Sequence, residues 1–118
     1  MNDEFKEARN RKREVVAITR ISPVDHDLLD GPWFLANCRG KRYLRKSVWV
    51  KAIQENRPRY LHRMIAERVR GRSLLTHEVV DHINGDSLDN RRENLRVVTS
   101  HENMSSTQFK KRIEEPSL

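Results

Sequence analysis

Residues 79–104, VVDHINGDSLDNRRENLRVVTSHENM, bring Asp81, His82, Asn94 and Asn103 into one short stretch. Cutting a phosphodiester needs a nucleophile, neutralisation of charge at phosphorus and stabilisation of the departing oxygen. One divalent cation serves the last two needs and prefers hard oxygen donors. Asp81 offers a carboxylate and Asn103 an amide oxygen, which leaves room for phosphate and water. A neutral imidazole at His82 takes the proton from an attacking water. Strand alternation points neighbouring side chains to opposite faces, so Asp81 and His82 serve one site only if their strand ends or bulges there. The turn-prone Asn84-Gly85-Asp86 that follows suits such an ending. Asn94 closes the polar loop, and its amide can bond backbone groups at both ends, a bracing rather than a chemical role.

The elements that must position these residues follow from periodicity. Residues 78–82 and 95–99 are predicted as strands flanking the polar loop 84–94. Thr99 with Glu102 forms a capping box for a helix over 100–112. Upstream, 60–70 carry apolar residues at helical spacing (Leu61, Met64, Ile65 and Arg68 or Val69), closed by Gly71. Residues 33–37 and 42–50 are predicted as paired strands turning at Arg39-Gly40. In the second, Leu44, Lys46, Val48 and Val50 make the core-like face, and Tyr43, Arg45, Ser47 and Trp49 a basic-aromatic one. Residues 15–19 read as a first strand, 22–32 as a loop, 51–57 as ambiguous and loop-prone, and 1–13 as a charged arm or loose helix.

Charge narrows the partners. The 118-residue chain has net charge +7 and a pI near 10.1. Residues 39–72 hold twelve Lys or Arg against two acids. Such a concentration favours a polyanion, since each neutralised phosphate releases a counterion. Arg39, Lys41, Arg42, Arg45, Lys46, Arg63, Arg91, Arg92 and Arg96 are the candidate phosphate contacts. For Arg91 and Arg92, ion pairs with Glu93 or Asp89 are an equally simple account. His62 on the helix suits packing or a phosphate contact. Trp33, Tyr43 and Trp49 suit the core or the sheet surface, or stacking on bases. His101 is an alternative to Asn103, and a zinc site from His77, His82 and His101 a weaker one. Asp86, Asp89 and Asn90 lack the closing Glu of a calcium loop and read as turn formers. One cysteine, Cys38, excludes an internal disulfide and multi-cysteine zinc sites. With no long apolar run and no signal-like start, the expectation is a soluble intracellular protein.

The stretch VDHINGDSLDNRRENLRVVTSHENM resembles the HNH endonuclease signature, in its phage and homing-endonuclease branch. LHRMIAE upstream is similar to the helix preceding that motif, and SPVDHDLLDGPWF, more weakly, to an N-terminal β region, so roughly residues 21–105 resemble the family. The resemblance implies His82 as general base, Asp81 and Asn103 as metal ligands and Asn94 as the loop-holding asparagine. It implies a ββα-metal motif and DNA cleavage with one divalent ion per site, Mg²⁺ or Mn²⁺, leaving 5′-phosphate and 3′-hydroxyl ends. No modular DNA-binding domain is evident after the motif.

The expected fold is α+β: an N-terminal antiparallel β-sheet, a bridging helix and a C-terminal ββα-metal motif. The divisions are an arm over 1–13, one domain over 14–113 (basic β region 14–57, helix 58–71, ββα-metal motif 77–112) and a tail over 114–118. The expected activity is metal-dependent hydrolysis of double-stranded DNA by a monomer or homodimer, away from membranes, in the cytoplasm of a bacterial or phage-infected cell. The alternatives are a non-catalytic DNA-binding or regulatory module on the same fold and, less favoured, RNA cleavage.

Overall fold

The computed structural model describes residues 4–100 and 118. Over these the chain is mixed α and β, mostly strands. Strands β1 (Phe5–Arg9) and β2 (Val15–Ile21) form an antiparallel hairpin. A 3₁₀ helix (Pro23–Leu29) leads to β3 (Phe34–Cys38), β4 (Lys41–Val50) and β5 (Glu55–Tyr60), a three-stranded antiparallel sheet with β4 central. Helix α1 (Leu61–Arg70) follows directly. Then come β6 (Glu78–His82), the two-residue β7 (Asp89–Asn90), a short 3₁₀ turn (Arg92–Asn94) and β8 (Leu95–Thr99). β6 pairs antiparallel with β8, while β7 runs parallel to β2 and fastens the polar loop to the N-terminal hairpin.

Several expectations are met by the backbone. β3 and β4 turn at Arg39-Gly40, where φ is +52° and +81°, the paired left-handed geometry of a two-residue hairpin turn. Helix α1 ends at Gly71, φ +70°, whose N–H reaches the Glu67 carbonyl at 2.8 Å. On β4, Leu44 is buried and Lys46, Val48 and Val50 are half-buried, while Arg45, Ser47 and Trp49 stay exposed. One core cluster joins Ala8, Ile21, Leu29, Trp33, Leu44, Leu61, Ile65 and Leu95.

Other expectations are corrected. Residues 5–9 are a strand, not a loose arm: Ala8 is fully buried, and Asn10 Oδ1 accepts from Lys12 N and Glu14 N, both at 2.9 Å, to shape the turn into β2. Residues 23–29 wind into a 3₁₀ helix that Pro23 opens, with Leu29 in the core. The loop-prone 51–57 contains the start of β5, and α1 begins at Leu61 rather than at Pro58. Pro58 sits inside β5 opposite Ser47, tolerated because β5 is an edge strand where a missing N–H breaks no inner ladder. The N-terminal region is two sheets rather than one. The helix over 100–112 lies outside the described residues, apart from Ser100, where the backbone is helical. Of the tail, Leu118 donates its N–H to the Leu95 carbonyl at 2.9 Å. Among the described residues no helix is long and apolar enough to cross a membrane.

Candidate active site

β6 and β8 stay in regular register, Asp81 opposite Arg96 and His82 opposite Leu95. No bulge interrupts the ladder, so sharing of one site by Asp81 and His82 rests on the strand ending there. The strand ends at His82, whose carbonyl accepts from Gly85 N at 2.9 Å in the following turn. Asp81 meets Arg96 across the ladder, with Nε 3.0 Å from Oδ2. Asn103, its expected co-ligand, and His101 lie outside the described residues.

His82 is 7% exposed. Its ring lies 5.2 Å from that of His62 on α1 and 6.0 Å from that of Tyr43 on β4. Its Nε2 is 2.9 Å from Asn90 Oδ1. Burial holds the imidazole below its ordinary pKa, and Lys41 adds to this, while the Asn90 hydrogen bond and the Asp81 charge oppose it. The net direction keeps His82 neutral near pH 7, the state a base needs.

The polar loop is cross-braced. Asn94, 5% exposed, accepts from Asn84 N at 3.1 Å. Its Nδ2 donates to the Asp89 carbonyl at 2.9 Å and to Asn84 Oδ1 at 3.0 Å. Both ends of the amide therefore hold the segment between His82 and β8. The hydroxyl of Ser87 ties this loop to the Arg42 carbonyl beside the basic hairpin turn.

The nine basic candidates divide sharply. Arg91 forks onto Asp89 at 2.7 and 2.8 Å and reaches Glu93 at 3.1 Å. Arg92 forks onto buried Asp25 at 2.8 and 2.9 Å, and Arg96 holds Asp81. These three are thus ion-paired within the fold. Arg63 donates to the Glu78 carbonyl at 3.4 Å, and Lys46 Nζ sits 5.0 Å over the Trp33 ring. Arg39, Lys41, Arg42 and Arg45 are exposed and make no ion pair among the described residues. Of the aromatic candidates, Trp33 is core, Tyr43 lies half-buried beside His82 and Trp49 is exposed.

His62 is more than packing at a distance. It lies 5.2 Å ring to ring from both Tyr43 and His82. Burial first, then the charges of His82 and Arg63, push its pKa down to about 3 from 6.5. An imidazole that resists protonation when folded binds its proton more readily when unfolded. Its contribution to stability is therefore complete above about pH 6.5 and is lost as pH falls toward 3. We expect wild-type stability to drop between about pH 7 and pH 5, at up to roughly 1.4 kcal/mol per pH unit from this group. His62→Phe flattens that part of the slope; denaturant unfolding at both pH values measures it, and equal slopes would count against a half-buried His62 that stays neutral in the fold.

Asn90 and Thr19 are site neighbours that local sequence rules pass over. Asn90 has the type and place of a turn former, and Thr19 lies 71 residues away from it. Only the parallel β2–β7 pairing brings them together.

A buried histidine at a strand end, a braced asparagine loop and an exposed cationic hairpin thus lie together in this part of the fold. Residues 59–105, from the end of β5 to just past β8, match the HNH endonuclease family. The family suggests nuclease activity on DNA and generally uses divalent metal ions. An uncharacterised HNH endonuclease of Acanthamoeba polyphaga mimivirus is similar, 49% identical over 60 residues. The match takes in 49% of this chain and 15% of that protein, so the chain spans a small part of its relative. No solved structure shows a significant match.

Proposed function

We propose that this chain is a divalent-metal-dependent DNA endonuclease of the phage or homing type. The observation that carries the reading is His82, buried and held neutral at the junction of the Asn94-braced loop and the cationic hairpin. In this reading β6 and β8 are the two strands of a ββα-metal motif completed by the segment after Ser100. Asp81 and Asn103 are the residues that would hold the ion, Mg²⁺ or Mn²⁺. Among the described residues no group of three or more His, Cys, Asp or Glu is placed to bind one. The donor chemistry still fits a hard cation with few protein ligands, since Asp81 brings a carboxylate that Arg96 orients. When bound, the ion supplies charge neutralisation at the phosphate and at the leaving oxygen.

This chain's own residues do the rest. His82 takes a proton as water oxygen bonds to phosphorus. The bond from phosphorus to the 3′ oxygen breaks, and that oxygen is protonated from solvent, leaving a 5′-phosphate and a 3′-hydroxyl. Asn94 keeps the loop, and so the end of β6, in place. One site per chain nicks one strand; cutting both takes a homodimer or two encounters. Double-stranded DNA in the cytoplasm of a bacterial or phage-infected cell is the substrate such a site suits.

The direct test is cleavage of supercoiled plasmid with and without added Mg²⁺, using wild type and Asp81→Asn. Asparagine keeps an oxygen for Arg96 but removes the charge that attracts a cation. We expect wild type to cleave only with metal, and Asp81→Asn to be slower by about a hundredfold or more, with a raised Mg²⁺ requirement. Tight DNA binding without cleavage at any metal concentration would instead support a DNA-binding module.

Contacts from the hairpin carry their own signature. Each phosphate contact contributes about −0.9 to the slope of log affinity against log salt. Replacing Lys41 and Arg42 together by alanine is expected to make that slope shallower by roughly 2. Fluorescence anisotropy of a duplex across a salt series measures it, and an unchanged slope would move the DNA to another face.

A further inference from the structure

A chain of buried polar groups crosses from His82 into the N-terminal hairpin. His82 Nε2 is 2.9 Å from Asn90 Oδ1, Asn90 Nδ2 is 2.9 Å from Thr19 Oγ1, and Thr19 Oγ1 is 2.7 Å from the Leu88 carbonyl oxygen. Thr19 is fully buried and Asn90 is 1% exposed, so these groups bond one another or go without. We propose that Asn90 and Thr19 are positioning residues for His82: together they fix its ring with the proton on Nε2, leaving Nδ1 as the nitrogen that receives the proton of the attacking water.

The direction of the chain follows from its far end. Two oxygens 2.7 Å apart need a proton between them, and a carbonyl has none to give. Thr19 therefore spends its only hydroxyl proton on a carbonyl; its other oxygen neighbour, the Arg20 carbonyl at 3.2 Å, is also purely an acceptor. The lone pairs of Thr19 must then accept, and what they accept is an N–H of the Asn90 amide. That turns the amide oxygen toward His82. An oxygen 2.9 Å from Nε2 accepts only if Nε2 carries the proton. The opposite amide orientation would leave Thr19 and Leu88 facing each other with unshared pairs.

The anchor is not local. Leu88 O also accepts the Arg20 N–H at 2.9 Å, and Ile21 lies opposite Asn90 in the parallel pairing. Thr19 stands 40 residues before the stretch that matches the HNH family. The N-terminal hairpin thereby becomes part of the site, through one hydroxyl.

The tautomer can be read without any reaction. In the metal-free full-length protein labelled with ¹⁵N, the His82 ring, assigned by its disappearance in His82→Gln, is expected to show a protonated Nε2 and an unprotonated Nδ1. Thr19→Val keeps the shape but removes the hydroxyl, and mixed or reversed ring signals are expected; Thr19→Ser restores the wild-type pattern. The activity arm rests on the nuclease reading above. There, Thr19→Val lowers the single-turnover rate about 10–100-fold with duplex affinity unchanged, and Thr19→Ser stays near wild type. A wild-type ring protonated on Nδ1, or a folded Thr19→Val with unaltered ring signals and rate, overturns the relay. A wild type that shows the Nε2–H ring yet cleaves no DNA overturns the nuclease reading and leaves the relay standing. Should Thr19→Val not fold, the wild-type spectrum alone decides the tautomer.

Discussion

His82→Ala is expected to slow plasmid cleavage by about 10²–10⁴-fold, the usual worth of a positioned general base, while duplex affinity stays within about twofold. The ring is buried against His62 and Tyr43. In the proposed reaction its loss removes a proton acceptor rather than a phosphate contact. Alanine also leaves Asn90 Oδ1 without its partner, which costs stability on the order of 1–3 kcal/mol. His82→Gln serves as the companion variant, because its amide refills part of the space and still cannot act as a base. Both variants should be inactive at a temperature where both are folded. Cleavage by either at the wild-type rate would remove His82 from the chemistry. A loss of rate matched by an equal loss of affinity would mark His82 as part of the DNA-binding surface instead. The pH profile gives a second check. Burial lowers the His82 pKa, so wild-type activity should be flat near neutrality and fall only on acidification below the ordinary histidine range.

The parts of this molecule legible in the sequence are those fixed by short-range pattern. β6 and β8 show their apolar runs on either side of a polar loop, α1 shows its apolar spacing and its Gly71 stop, and Arg39-Gly40 marks its own turn. What stayed hidden depends on partners far along the chain. Residues 5–9 are poor in large apolar side chains; they are a strand because β2 offers them a ladder and because Ala8 reaches the core. Glu55–Tyr60 contains a proline and five exposed or polar side chains, and becomes a strand only as the edge neighbour of β4.

The same division runs through the site. His82, Asp81 and Asn94 stand out by residue type and spacing, but Asn90 looks like any turn residue until Thr19 is brought to it. Nine arginines and lysines look alike as a basic field. Folding separates them, because Asp25, Asp81 and Asp89 each claim one guanidinium. Exposed cations remain at Arg39, Lys41, Arg42 and Arg45, and Ser87 joins their hairpin to the loop after His82. Charge count alone gives a basic field; only the ion pairs show which of its cations stay exposed.

Asp25→Ala is expected to produce the largest loss of stability among single changes at the site's supports, about 3–5 kcal/mol, the typical cost of breaking a buried ion pair from one side. Asp25 is fully buried, and its two oxygens take Arg92 Nη2 at 2.8 Å and Nε at 2.9 Å, with Arg68 Nη1 at 3.5 Å. The pair joins the first 3₁₀ helix to the turn that carries Asn94, two elements 67 residues apart with no strand pairing between them. Removing the carboxylate leaves the partly buried Arg92 guanidinium without its carboxylate partner, and loosens the approach to β8. Against a net stability of roughly 5–15 kcal/mol for a domain of this kind, the midpoint should fall by well over about 10 °C. Asp27→Ala is the matched comparison. Asp27 also forks onto an arginine, Arg68, at 2.7 and 2.8 Å, but its side chain is 59% exposed. Water screens that pair and can replace it, so its removal should shift the melting curve little. Thermal and urea unfolding of the two variants side by side separate the cases. If both lose the same small amount, burial adds nothing to the Asp25 pair, and the turn bearing Asn94 is held by its own hydrogen bonds rather than by the N-terminal half of the chain.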